Sequence, residues 1–235
     1  MIILAGVAAL CCALFFFAVP RTALPHMRVE RPRASWSLLL RNRNVIVLCA
    51  GGFLGQGCFN AVTTWLAVIW HERGLPFEAA GIASSYVVFS GILGSLLIPS
   101  VADRILHARS ALWLCLIPAA VLVHPFIWAA SPATACTYGS IMGFFQLPSL
   151  AISLTLLERS VRTEQRGTAS GIYWTVGNPG VLALSSMIDL VHTIGGWHLA
   201  VDCVTALLAV VILLVAFLRA PARAAGSIPL SQVVS

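Results

Sequence analysis

The stretch Gly91–Ser110, GILGSLLIPSVADRILHARS, decides how the chain is read. An apolar run ends at Asp103-Arg104 and a second begins at Ala111, so a short charged turn ties two apolar segments together. Beside lipid, a carboxylate next to a guanidinium is tolerated only at the water interface or in a wet cavity. The turn therefore marks one face of a bilayer, and the other segments are counted outward from it.

Of the 235 residues, 59% are hydrophobic and 9% charged, whereas in soluble domains roughly a quarter are charged. The composition is that of an integral membrane protein of all-α class. Its formal charge of +6 comes entirely from arginine, because the sequence has no lysine. These arginines lie in short segments between apolar runs instead of striping a soluble fold, so no nucleic-acid partner is expected. The 7 cysteines are scattered through apolar runs without Cys-x-x-Cys spacing or a His/Cys cluster. They read as buried and reduced, and no metal or cofactor is expected.

A spanning helix needs about 20 mostly apolar residues, and seven stretches qualify. The chain divides into a first transmembrane helix (1–20), a basic cytoplasmic linker (21–44), a six-helix bundle (45–218) and a disordered cytoplasmic tail (219–235). Pro20, Pro25 and Pro32 keep the linker from being one helix, although Trp36 to Arg43 suits a short interfacial one. Within the bundle the spans are expected at about 45–70, 79–101, 111–130, 133–157, 167–190 and 199–218. Their short connections, including one over 191–198, force neighbours to run antiparallel. With the linker inside, every arginine except Arg73 falls on the cytoplasmic side. The positive-inside rule then places the N-terminus outside and the C-terminus in the cytoplasm of a multi-pass plasma-membrane protein.

Spans that only face lipid can be apolar throughout, while those lining a wet path carry groups that replace water. The second, third, fifth and sixth spans are the polar ones and are expected to line something wet. Serines and threonines usually bond back to their own helix, which ranks Ser84, Ser85 and Ser90 as structural. Gln56, Asn60, Gln146 and Asn178 differ, since each amide has four hydrogen-bonding positions to fill. They read either as solute contacts or as glue between helices. Trp174 joins them as a candidate contact beside Asn178. Pro179 removes a backbone donor near mid-membrane, marking a hinge or a kink that serves packing. Gly51 with Gly55, and Gly167 with Gly171, have the spacing that lets helices approach closely, and Gly91 with Gly94 add a further small face. His124 reads as a satisfied interfacial histidine, and Asp189 and Asp202 as solvated end-caps.

Taken together, the long basic linker, the three-plus-three spans and the Asp103-Arg104 turn resemble the C-terminal half, sixth to twelfth helices, of a major facilitator superfamily transporter. The inside turn ERSVRTEQRGTASG (158–171) is similar to the one before that family's eleventh helix. GFFQLPS (143–149) and RGTASG (166–171) resemble the haem and choline carrier branch, and cyanate-type permeases are similar to a comparable degree. The resemblance implies a secondary transporter of a small solute working by alternating access, not an enzyme. It also implies a missing five-helix N-terminal part, supplied in cis or as a separate chain, and a gating role for Asp103, Arg104 and Pro179. Substrate contacts would be Gln56, Asn60, Gln146, Trp174 and Asn178. Seven spans with the N-terminus outside also describe a heptahelical receptor. Against that reading, Ile105 follows Asp103-Arg104, and Asn178-Pro179 falls in the sixth span.

Overall fold

The computed structural model describes residue 39 and residues 41–105 and 108–218, with the side chains of 102–105 and 108 left aside. The first expected span, nearly all of the linker, the tail from Arg219 and the side chains of Asp103 and Arg104 lie outside the described residues. Among those described, the chain is helical with no strand: α1 (Arg43–Glu72), α2 (Phe77–Ile105), α3 (Ala108–Ile127), α4 (Pro132–Arg159) and α5 (Arg166–Ala216). A short 3-10 turn, Thr163–Gln165, precedes α5. All 5 helices are long and apolar enough to cross a membrane. The first four agree with the expected second to fifth spans to within about a turn.

α5 departs from expectation. In place of a loop over 191–198, helical hydrogen bonding continues to Gly196, which alone leaves helical geometry (φ 77°, ψ 179°). Glycine enters the positive-φ region without the cost a Cβ imposes, so one residue reverses the chain. The two arms, 166–195 and 197–216, run in opposite directions along α1. Gly57 lies against Gly180, and Trp65 Nε1 donates to Ser185 O at 3.1 Å, so partner numbers rise with α1 in the first arm. Cys58 Sγ lies 4.0 Å from Val204 O and the Trp65 ring packs 5.7 Å from Trp197, so they fall in the second. The backbone dihedrals stay helical through Pro179.

Lipid removes the hydrophobic drive between helices, so association rests on close packing. Glycines provide it at two crossings. A Cβ on Gly180 would strike the Phe53 carbonyl and one on Gly57 the Gly180 carbonyl, which fixes α1 on the first arm of α5. A Cβ on Gly94 would strike the Phe144 carbonyl and one on Gly143 that of Val87, which fixes α2 on α4. The expected pairs Gly51/Gly55 and Gly167/Gly171 do not do this: Gly51, Gly167 and Gly171 face open space, and Gly55 has only Val211 at 4.0 Å.

The helix ends are tied by local chemistry. Asn42 caps α1 by accepting from Asn44 N, while its own Nδ2 donates to Ser160 O at 2.8 Å, joining the start of α1 to the end of α4. Pro132 opens α4 behind a reciprocal cap between Ser131 and Thr134. Gly74, at φ 78°, turns the chain from α1 into α2. Two buried clusters result, one around Trp70 and Phe126 near the Glu72 end of α1, the other around Leu112 and Tyr173 near its Arg43 end.

Candidate functional site

Near the Arg43 end of α1, a cavity of about 190 Å³ lies among α1, α3, α4 and both arms of α5. Gly51, Gly52 and Gly55 leave α1 bare on this side, which opens the space. Gln56 and Asn60, one turn apart, bring two amides to it from α1. Gln146, Ser149 and Ser153, spaced three and four apart on one face of α4, add a third amide and two hydroxyls. Tyr173 closes the first arm's side with its phenol against the Gln56 and Ser153 side chains. Leu112 and Leu116 of α3 and Val211 and Val215 of the second arm complete an aliphatic wall.

Several of these polar groups are already used. Asn60 Nδ2 donates to Gln56 O at 2.9 Å, and Ser149 Oγ to Gln146 O at 2.6 Å, so both bond back to their own helix. Gln146 Oε1 is buried without a hydrogen-bond partner, with Gln146 as a whole 8% exposed, and Gln56 Nε2 is buried without a well-formed hydrogen bond although the Tyr173 phenol lies beside its amide. Leaving a buried polar atom unsatisfied costs about 1–3 kcal/mol. No described lining residue carries a charge, and among the described residues no group of three His, Cys, Asp or Glu could hold a metal ion.

Of the residues singled out from sequence, Gln56, Asn60 and Gln146 come together here. Trp174, Asn178 and Pro179 do not: they are exposed on α5 and contribute nothing to the cavity wall. α2, expected to line a wet path, is absent from that wall. Its Ser85 and Ser90 donate to the carbonyls of Gly81 and Val87 on their own helix, and its glycine crossing holds it on α4. The apolar fourth and seventh spans supply wall instead. Tyr173, not singled out from sequence, is the side chain that the first arm of α5 does contribute. Gly177 and Gly180, four and seven residues on, mark Tyr173 as lying on the packed face; Gly180 meets α1 and Gly177 lies beside the Gln56 amide. Trp174 sits about 100° around the helix from it.

At the opposite end of α1 most of the polar groups are partnered, with Trp128 Nε1 the exception. Trp70 Nε1 and Arg73 both donate to Ile127 O, at 3.0 and 2.8 Å, and the Arg73 guanidinium lies 5.1 Å above the Trp128 ring. Trp128 stacks on His198 at 4.0 Å and His192 on Trp197 at 3.7 Å, while Trp197 Nε1 donates to Glu72. His124 and Asp202 pair at 3.0 Å, so Asp202 is more than the solvated end-cap expected of it.

Comparison with known proteins follows this geometry. The Major Facilitator Superfamily profile matches residues 1–185. An uncharacterized protein of Archaeoglobus fulgidus is 31% identical over 214 residues, covering 91% of this chain and 97% of its own. An MFS-type efflux pump of Mycolicibacterium smegmatis is 27% identical over 156 residues, 62% of this chain and 35% of the pump. The chain thus aligns with about a third of that pump's length.

Proposed function

Because the chain belongs to the Major Facilitator Superfamily, we propose that it acts as half of a secondary transporter, carrying a small solute across the plasma membrane by alternating access. The four helices α1–α4 and the two arms of α5 form the three-plus-three bundle, with the N-terminus outside and the C-terminus cytoplasmic. Membership of a transporter family favours this over a heptahelical receptor. The observation that carries the reading is the neutral cavity into which α1 and α4 bring Gln56, Asn60 and Gln146, two of them with orphaned amide atoms.

In this reading Gln56, Asn60 and Gln146, with Tyr173, hold the solute. Trp174, Asn178 and Pro179, exposed on α5, wait for the companion five-helix part and meet the solute only once that part is in place. Asp103 and Arg104 gate the passage by pairing across to the companion. Rocking of one bundle on the other then opens one side at a time. Solute counterflow in proteoliposomes tests this: the chain alone is expected to be inactive, and co-expression with a five-span companion to restore exchange. Gln146→Leu in the paired protein is expected to lower exchange at least about tenfold, one missing hydrogen bond of about 1.4 kcal/mol. Exchange by the chain alone, or full activity in Gln146→Leu, would overturn the proposal.

A further inference from the structure

The end of the cavity toward Arg43 suits a second kind of occupant. We propose that the cavity also takes one unbranched alkyl chain of about eight carbons with an anionic head, a medium-chain fatty acid, entering tail first beside Arg43 and Arg109. That this chain competes with the solute rests on reading the cavity as the solute site; its binding does not.

Shape and wall set the tail. α1 lines the cavity from Val47 to Asn60, about four helical turns. The volume is still only about 190 Å³, and since about 150 Å³ holds the six carbons of benzene, it holds about eight in all. A void so long for its volume suits a chain laid along α1 better than a ring. Toward the Arg43 end its wall is aliphatic, from Val47, Leu48, Leu112, Val215 and Leu218. Deeper in, Asn60 and Ser149 donate to carbonyls of their own helices, and the Tyr173 phenol lies with the Gln56 and Ser153 side chains. An apolar tail takes none of these bonds away.

Charge sets the head. Helical register puts Arg43 one turn outward of Val47 and Arg109 one turn outward of Leu112, at the same end of the cavity. The Arg43 guanidinium lies 5.6 Å from the centre of the Phe217 ring, and Phe217 is next in sequence to the wall residue Leu218. Neither α1 nor α3 has an acid in its first turn, so an anionic head at this end meets two guanidinium groups, the geometry arginine offers a carboxylate. An alkyl cation meets like charge there. A phospholipid brings a longer acyl chain, one that spans half the bilayer core, than this volume holds.

Isothermal titration calorimetry on the full chain in phosphatidylcholine nanodiscs at neutral pH, with empty discs subtracted, tests this with octanoate, butanoate, 1-octanol and octyltrimethylammonium. Octanoate is expected to bind at least about tenfold more tightly than 1-octanol. With four more methylenes to bury, it is expected to bind at least about a hundredfold more tightly than butanoate, and the cation is expected not to bind. Arg43→Gln/Arg109→Gln is expected to remove the preference for octanoate over 1-octanol while 1-octanol still binds. Gly51 lines the cavity with open space at its Cβ, so Gly51→Leu fills the void and is expected to abolish both, with helical circular dichroism unchanged. Equal binding of octanoate and 1-octanol, or binding of the cation, would overturn the anionic head. Butanoate binding as tightly as octanoate, or full binding in Gly51→Leu, would overturn the buried tail. Loss of octanoate binding in discs of anionic phosphatidylglycerol would give the site to membrane lipid and overturn the fatty acid. If none of the probes binds, the inference falls, while the transporter reading keeps its own test in counterflow by the paired protein.

Discussion

The two ends of α1 are built from different polar residues and differ in how those residues are paired. At the Glu72 end, indole, imidazole and guanidinium groups from α1, α3 and both arms of α5 are stacked or bonded to one another, with Trp128 Nε1 the one orphaned donor there. At the Arg43 end, Asn42 and Asn44 reach Ser160, and just inside that tie lies the cavity with its two unpartnered amide atoms. Hydrophobic burial alone would not separate the ends, since each has its own buried cluster. The difference is in degree of polar satisfaction: among the described residues one end leaves a single buried donor unpaired, and the other leaves two buried amide atoms. In a bundle whose interior must meet a solute, the larger unpaired share belongs where the helices leave room.

The contrast depends on helix crossings that hold both ends in place, and the largest expected effect comes from disturbing one. Gly180 touches the Phe53 carbonyl, backbone against backbone, so neither side can turn away from an added side chain. Gly180→Val is expected to cost about 3 kcal/mol or more, the upper part of the range for overpacking. Thermal unfolding in detergent, followed by helical circular dichroism, should show the loss at both ends together. Gly51→Ala, which points into open space, is the matched control and is expected to be neutral or to stabilise by up to about 1 kcal/mol. Equal tolerance of the two substitutions would mean that the crossing is looser than its geometry.

A smaller effect of opposite sign is expected at the cavity. Gln146→Leu keeps nearly the same volume and removes an acceptor that has no partner. Because the native fold bears the desolvation cost of that atom, the variant is expected to gain about 1 kcal/mol. The same unfolding measurement should show stability rising. A destabilised Gln146→Leu would place the amide among the groups that hold the helices together, and the comparison between the two ends would lose its basis.

How much of this was legible in the sequence differs by level. Span positions followed from the lengths of apolar runs, because the bilayer sets one thickness for every helix. The reversal at Gly196 did not follow: Gly195-Gly196 stood in plain view, but eight residues were allotted to a turn that a single positive φ completes. At the site, the chemistry of the amides picked out Gln56, Asn60 and Gln146, since a group with four hydrogen-bonding positions is rarely idle. It did not separate these from Trp174 and Asn178, which lie outside this cavity, because residue type does not reveal helical phase. Phase is set by whichever stripe packs against a neighbour, and on α5 that stripe is Tyr173, Gly177 and Gly180. Glycine spacing gave the packed face of α2, through Gly91 and Gly94, but on α1 it gave the cavity wall. Small residues permit a close approach, and where no neighbour comes close they leave a void.

The smallest expected effect tests what seals the Glu72 end. His124 Nε2 and Asp202 Oδ1 lie 3.0 Å apart, with side chains 39% and 63% exposed, and even a fully ionised pair so solvated is worth about 0–1 kcal/mol. Asp202→Asn should therefore lower stability by less than about 1 kcal/mol, and raising the salt concentration should shrink even that difference. The stacked pairs, Trp128 on His198 and Trp197 on His192, remove ring faces from water and bridge α3 and the turn at Gly196, so they have more to lose. If Asp202→Asn instead proved as damaging as loss of the Trp197 ring, charge and not stacking would hold this end shut. The end would then be sensitive to salt, unlike the neutral cavity at the other, and the two halves of the bundle would differ in the force that closes them as well as in what they leave unsatisfied.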